Sequence, residues 1–203
     1  MITKAFYRPV CFLSLVKLIF IFISIFILFS QSKFIHAQEI SRQITLGSIK
    51  ADWNGDGKLD KAMLVTRDND TAATLLVYFS NASKHLTRKL EARDIVWHSS
   101  NTGQGASLKL SKRKSIVVYA GNTSVGRNRW RSKLTIVYRR KKFLVAGYTL
   151  HKRDTLKLDS ATDCDINYLA GKLIKNNIKL RIKNVAPSLK LWQKNPKNNP
   201  CGA

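Results

Sequence analysis

Nine residues, Asp52-Trp53-Asn54-Gly55-Asp56-Gly57-Lys58-Leu59-Asp60, place oxygen-bearing side chains at positions 1, 3, 5 and 9 of one glycine-rich turn. Such a set suits a hard cation. Ca²⁺ takes about six to eight oxygens, and alternate residues of a tight loop can aim theirs inward while glycine lets the backbone curl. The expected ligands are the side chains of Asp52, Asn54, Asp56 and Asp60, with the backbone carbonyl of Lys58 at position 7. An EF-hand is not expected, because position 12 is Met63 rather than a bidentate Glu and strand-like sequence flanks the loop. The alternative is a polar Asn-Gly-Asp-Gly turn that binds nothing. Three acids in nine residues favour the cation, since clustering them without one brings repulsion and no gain. Its expected role is structural, at an affinity of about 10⁻⁴–10⁻³ M as in extracellular modules.

The second chemical signal is cationic. No Asp or Glu occurs from Ile95 through Arg153, a stretch holding fourteen Lys and Arg, and none from Ile166 to the end, where eight more follow. Summed positive potential attracts polyanions. Arginine also grips phosphate or carboxylate through two N–H donors, which makes Arg127, Arg129, Arg131, Arg139 and Arg140 the expected anion-binding residues. For an exported chain the expected partner is an anionic envelope component (lipid headgroup, lipopolysaccharide or acidic polymer) or an acidic protein, with possible peripheral membrane contact and no genomic nucleic acid. Trp130 is expected in the core, as large aromatics mostly are.

Catalytic patterns are absent from the sequence. His85, His98 and His151 show no metal-ligand spacing and read as surface residues, and there is no G-x-S-x-G elbow, P-loop or dinucleotide fingerprint. A non-enzymatic binding domain is the first expectation. The second is an envelope polysaccharide hydrolase, whose paired carboxylates would come from Asp94, Asp154, Asp159 and Asp163.

These residues need elements to position them. Lys4, Arg8 and Lys17 precede and enter an apolar run from Leu18 to Phe29, and Ala37 offers a small residue for cleavage, so residues 1–37 read as a secretory signal peptide and the compartment as periplasmic or extracellular. The run is shorter than the roughly 20 residues a spanning helix needs, which favours cleavage over an uncleaved inner-membrane anchor. Removing residues 1–37 deletes four basic residues and no acidic one, lowering the formal net charge from +24 to +20. Residues 38–192 read as a single β domain, with an irregular Asn-, Lys- and Pro-rich tail over 193–203. An oxidising compartment makes a disulfide between Cys164 and Cys201 the expectation for the two cysteines that remain.

No helical period is sustained over three turns, and short apolar runs alternate with turn residues, which predicts an all-β, antiparallel fold. Predicted strands are 44–50, 62–66, 75–79, 107–110, 115–119, 134–139, 143–150 and 178–183. Arg139 to Lys142 is expected to form the turn of a hairpin, and 159–165 to form a turn. Alternation of Ile178, Leu180 and Ile182 with cations predicts one buried and one cationic face, as do Leu108 and Leu110 around Lys109 and Leu156 and Leu158 around Lys157.

Asp52 to Val65, an acidic glycine-rich loop leading into an apolar strand, resembles the FG-GAP and VCBS-type repeats in a single copy. The resemblance implies the same Ca²⁺ ligands. A closed seven-bladed wheel does not fit so short a chain, leaving an antiparallel β-sandwich or a partial propeller. Tyr119 to Trp130, the hairpin from Leu134, Ala146-Gly147-Tyr148 and Asp163 to Asn167 are similar to small exported proteins of Rhizobium- and Bartonella-like bacteria. That similarity implies the periplasm and a calcium loop, and no substrate.

Overall fold

A computed structural model describes residues 42–68, 70–99, 105–194 and 199–202; the expected signal segment, 1–37, lies outside the described residues. Two antiparallel meanders make up the fold. The first contains β1 (Gln43–Ala51), β2 (Asp60–Arg67), β3 (Ala72–Ser80) and β4 (Leu86–Trp97), hydrogen-bonded in chain order. The second runs from β5 (Ser107–Leu110) through β6 (Ile116–Asn122), β7 (Asn128–Arg139), β8 (Lys142–Asp154), β9 (Thr162–Asn167) and β10 (Lys172–Lys175) to β11 (Ile178–Arg181). The all-β, sandwich-like class read from the sequence is the class observed.

Period-2 side chains from both sheets meet in one core. Ala73, Leu75, Val77 and Phe79 of β3 point the same way as Ala62 and Leu64 of β2, and they share an apolar cluster with Ile116, Val118, Leu134, Ile136 and Val145 of the larger sheet. Gly47 allows the sheets to approach, since a Cβ there would stand 3.0 Å from Leu108 Cβ. A bulge at Ala146, where the register steps from Thr135↔Gly147 to Ile136↔Val145, switches the inward parity of β8. Phe143 and Val145 face the core before it, and Leu150 after it.

The β7–β8 hairpin is longer and its turn tighter than the sequence suggests. Arg139 pairs with Lys142, so the reversal rests on Arg140 and Lys141 alone, at φ +52° and +58°. Such a two-residue turn matches the twist of the flanking strands. Three of the described strands lie beyond the sequence expectation: β4, whose outer positions are almost all charged or polar, β9, which stands where a turn is expected, and β10. The alternation at Ile178 and Leu180 does not bury a face, because β11 is an edge strand with those residues 62% and 49% exposed. Leu156 is likewise exposed, and of the β5 pair only Leu108 is buried.

The C-terminal segment is fastened to the larger sheet at two points among the described residues. Ser188 Oγ accepts the Leu191 N–H at the start of α1 (Leu189–Lys194), Leu189 is buried, and Trp192 packs on Tyr148 and Tyr168 at ring separations of 5.3 and 5.9 Å. Cys201 bonds Cys164 of β9, as expected, with the Cα atoms 5.5 Å apart. Among the described residues no helix is long and apolar enough to cross a membrane.

Candidate functional site: an acidic loop and a cationic strand face

The acidic loop joins β1 to β2. Gly55 and Gly57 take φ +81° and +79°, the conformation for which glycine is needed, and the curl they permit turns a series of backbone N–H groups onto the side chains. Asp52 accepts from Gly55 N–H (2.7 Å) and Gly57 N–H (2.9 Å), Asn54 Oδ1 from Asp56 N–H (3.0 Å), and Asp56 Oδ1 from Lys58 N–H (2.9 Å). The Lys58 N–H, followed by the Asn54 amide on Oδ2, holds the Asp56 carboxyl below its ordinary range. Each of these oxygens keeps a further lone pair beyond the hydrogen bonds made within the loop.

Asp60 has a different place. It is fully buried, and its two oxygens accept N–H from Trp53 and from Ser80 at the end of β3, both at 3.0 Å. It is a strut between loop and sheet. Among the described residues no three Asp, Glu, His or Cys side chains converge as a metal cluster; Asn54 and Asp56 are exposed and Asp52 and Lys58 half-buried.

The arginines divide along one strand. Arg129, Arg131, Lys133, Thr135, Val137 and Arg139 alternate with the inward Ser132, Leu134 and Ile136, so they share the outer face of β7. Ten residues separate Arg129 from Arg139, about 33 Å at a strand's rise. Arg140 lies in the hairpin turn, and Arg127 precedes the strand. Arg127 is already engaged, with its Nε 2.6 and 2.7 Å from the two oxygens of Asp154. That bond lowers the Asp154 carboxyl from its usual range and raises the guanidinium.

At the Arg129 end, cation faces cation. Arg129 pairs with Arg153 across β7–β8, and Trp130 with Lys152. Like charges directly opposed on strands are destabilising. Arg129 Nη1 is buried without a hydrogen-bond partner, and with Arg131, Lys152 and Arg153 it lines a cleft of about 400 Å³. Among the described lining residues the carboxylate there, Asp163, is held by His151 Nδ1 at 2.6 Å. Trp130 is half-buried, its ring edge-on to Trp97 with 5.7 Å between centroids.

One expectation about a titratable side chain changes. His98 is a core residue, not a surface one: it is buried, its Nδ1 accepts the Ala106 N–H (3.3 Å), and burial pushes its pKa down. Of the carboxylates considered for hydrolysis, Asp154 is bonded to Arg127 and Asp163 to His151, Asp159 lies in the short turn after β8, and Asp94 lies in the other sheet at φ +51°.

A second cleft, about 630 Å³, was not anticipated. It lies on the same outer face beside the β5–β6 turn, whose Lys112, Arg113 and Lys114 form a wall, with Asp52 and Trp53 at one end. The R-x-R-x-K-x-T alternation of β7 carried a signal for it. What sequence could not supply was the neighbourhood of β7 with a turn some twenty residues earlier. No family model, curated protein or solved structure matches this chain.

Proposed function

We propose that this chain is an exported, non-enzymatic β domain, stapled by Ca²⁺ in the Asp52–Asp60 loop, whose basic surface binds a phosphate- or carboxylate-bearing component of the cell envelope. The contact lies at the Arg129 end of the β7–β8 hairpin. The observation that carries this reading is the unpartnered, buried Arg129 Nη1 within a cleft where Arg131, Lys152 and Arg153 also converge. A buried guanidinium donor left unpaired is costly, and an anionic oxygen in the cleft removes that cost while offsetting the repulsion between strands. Calcium, when bound, supplies a cross-link among loop oxygens; Asp52, Asn54, Asp56 and the Lys58 carbonyl hold it, with Asp60 anchoring the loop base.

Vesicle retention tests the binding. The full chain should be retained on phosphatidylglycerol vesicles in a salt-sensitive manner and far less on phosphatidylcholine vesicles, which report any contribution of the apolar N-terminal run. Arg129→Gln with Arg131→Gln should lower retention about ten-fold, whereas Arg127→Gln, which breaks an ion pair outside the cleft, should have little effect. Equal retention of all three proteins would overturn the assignment of the contact. Titration of Ca²⁺ into EDTA-treated protein should show one saturable site that Asp56→Ala abolishes.

A further inference from the structure

The 630 Å³ cleft differs in chemistry from the Arg129 end. Its cationic groups, Lys112, Arg113, Lys114, Lys133 and Arg139, stand against two carboxylates, Asp52 and Asp165. Its lining strands, however, present neutral hydrogen-bonding groups: Thr135 on β7, Thr149 on β8 and Asn167 on β9, with Gly147 adding no side chain among them. One carboxylate is already tied into this polar surface, Asp165 accepting the Thr149 hydroxyl at 2.6 Å. The other accepts two loop N–H groups.

The wall is held in place before any ligand arrives. Ser111 N–H bonds Ser115 O and Lys114 N–H bonds Ser111 O, both at 3.0 Å, and Ser111 Oγ accepts the Ser115 N–H at 2.8 Å. Trp53 then fastens the turn to the acidic loop, its indole N–H donating to the Lys114 carbonyl at 2.7 Å. The Lys114 backbone is fixed while the Lys112, Arg113 and Lys114 side chains remain exposed. A fixed backbone beneath free cations lowers the ordering cost of binding.

We propose that this cleft binds an acidic oligosaccharide, its carboxylate or sulfate groups on the Lys112–Lys114 wall, Lys133 and Arg139, and its hydroxyls on Thr135, Thr149 and Asn167. A bare polyanion has no use for a row of neutral donors and acceptors, and a neutral sugar none for five cations. The combination fits a ligand that bears both. The volume lies within the about 300–1,000 Å³ typical of small-ligand clefts. None of these residues belongs to the vesicle-binding set at the Arg129 end, so either reading can fail without the other.

Calorimetry on the full chain with three probes decides the matter: a short galacturonate oligomer, the same oligomer fully methyl-esterified, and a linear polyphosphate of matched charge. The galacturonate oligomer should bind most tightly. Lys112→Gln/Arg113→Gln/Lys114→Gln, confined to an exposed turn, should weaken it at least ten-fold, and Lys133→Gln several-fold. Thr135→Val should weaken the galacturonate oligomer about three- to ten-fold while leaving polyphosphate unaffected. Arg129→Gln/Arg131→Gln should retain wild-type affinity for the oligomer. Absence of binding would overturn the proposal. So would polyphosphate binding as tightly as the oligomer with Thr135→Val indifferent, or a loss of oligomer binding in the Arg129/Arg131 variant.

Discussion

A single carboxylate, Asp60, shows how one residue type serves two purposes. In sequence it reads as the ninth position of an expected cation loop. In the folded chain it is buried and bridges Trp53 N–H and Ser80 N–H, which joins the β1–β2 loop to the far end of β3. Its removal leaves two part-buried donors unpaired, each costing up to about 1–3 kcal/mol where water cannot replace the carboxylate. Asp60→Ala should therefore destabilise the fold by about 2–5 kcal/mol, measured by denaturant unfolding, and by a similar amount in EDTA and in Ca²⁺. A loss confined to the calcium-loaded protein would make Asp60 a ligand alone. Asp56, exposed and bonded only within the loop, should by contrast leave metal-free stability nearly unchanged when replaced by Ala.

At the scale of elements, a neighbour on both edges does not by itself make a strand legible: the core of β7 reads from the sequence, whereas β9 and β10, equally flanked, do not. Ser132, Leu134 and Ile136 of β7 lie buried in the alternation period-2 geometry requires, whereas β6 buries Ile116, Val117 and Val118 in succession. The same pattern misled at β11, because alternation states which residues share a face, not whether anything covers that face. Parity in β8 was also beyond reach, since the bulge at Ala146 follows from how β7 and β8 twist together. Gly147 sits directly after it, and a Cβ there would lie 2.7 Å from the Ile166 carbonyl oxygen of β9. Gly147→Ala must push β9 away or strain β8, at a cost of about 1–3 kcal/mol. Amide exchange should accelerate in β9 and β10 and stay unchanged in β2 and β3. Uniform acceleration would mean that the two sheets do not respond separately.

For the molecule as a whole, the Cys164–Cys201 bond closes the C-terminal segment over the larger sheet, with α1 between the joined residues. A loop of 37 residues' separation is worth about 3–4 kcal/mol on the chain-entropy estimate. Reduction should lower the melting temperature and release Trp192 from Tyr148 and Tyr168, visible as a red shift in tryptophan emission. An unchanged melt after verified reduction would show that Leu189 and Trp192 hold the segment unaided.

The sequence by itself determined the class of the fold, the cysteine pair, the oxygen-rich loop and the excess of positive charge. These are properties of composition and short-range spacing, and period-2 alternation, glycine placement and residue counts express them without reference to distant parts of the chain. Tertiary structure alone decided which cations are neighbours. Arg127, next in line to Arg129, is neutralised by Asp154 from the other strand of the hairpin, whereas Arg129 meets Arg153 and keeps an unpaired donor. Lys112 to Lys114, remote in sequence from Thr149 and Asn167, share a cleft with them because antiparallel pairing brings β6, β7, β8 and β9 side by side. Electrostatic energy depends on distances of a few ångströms, and those distances are set by strand register rather than by order along the chain.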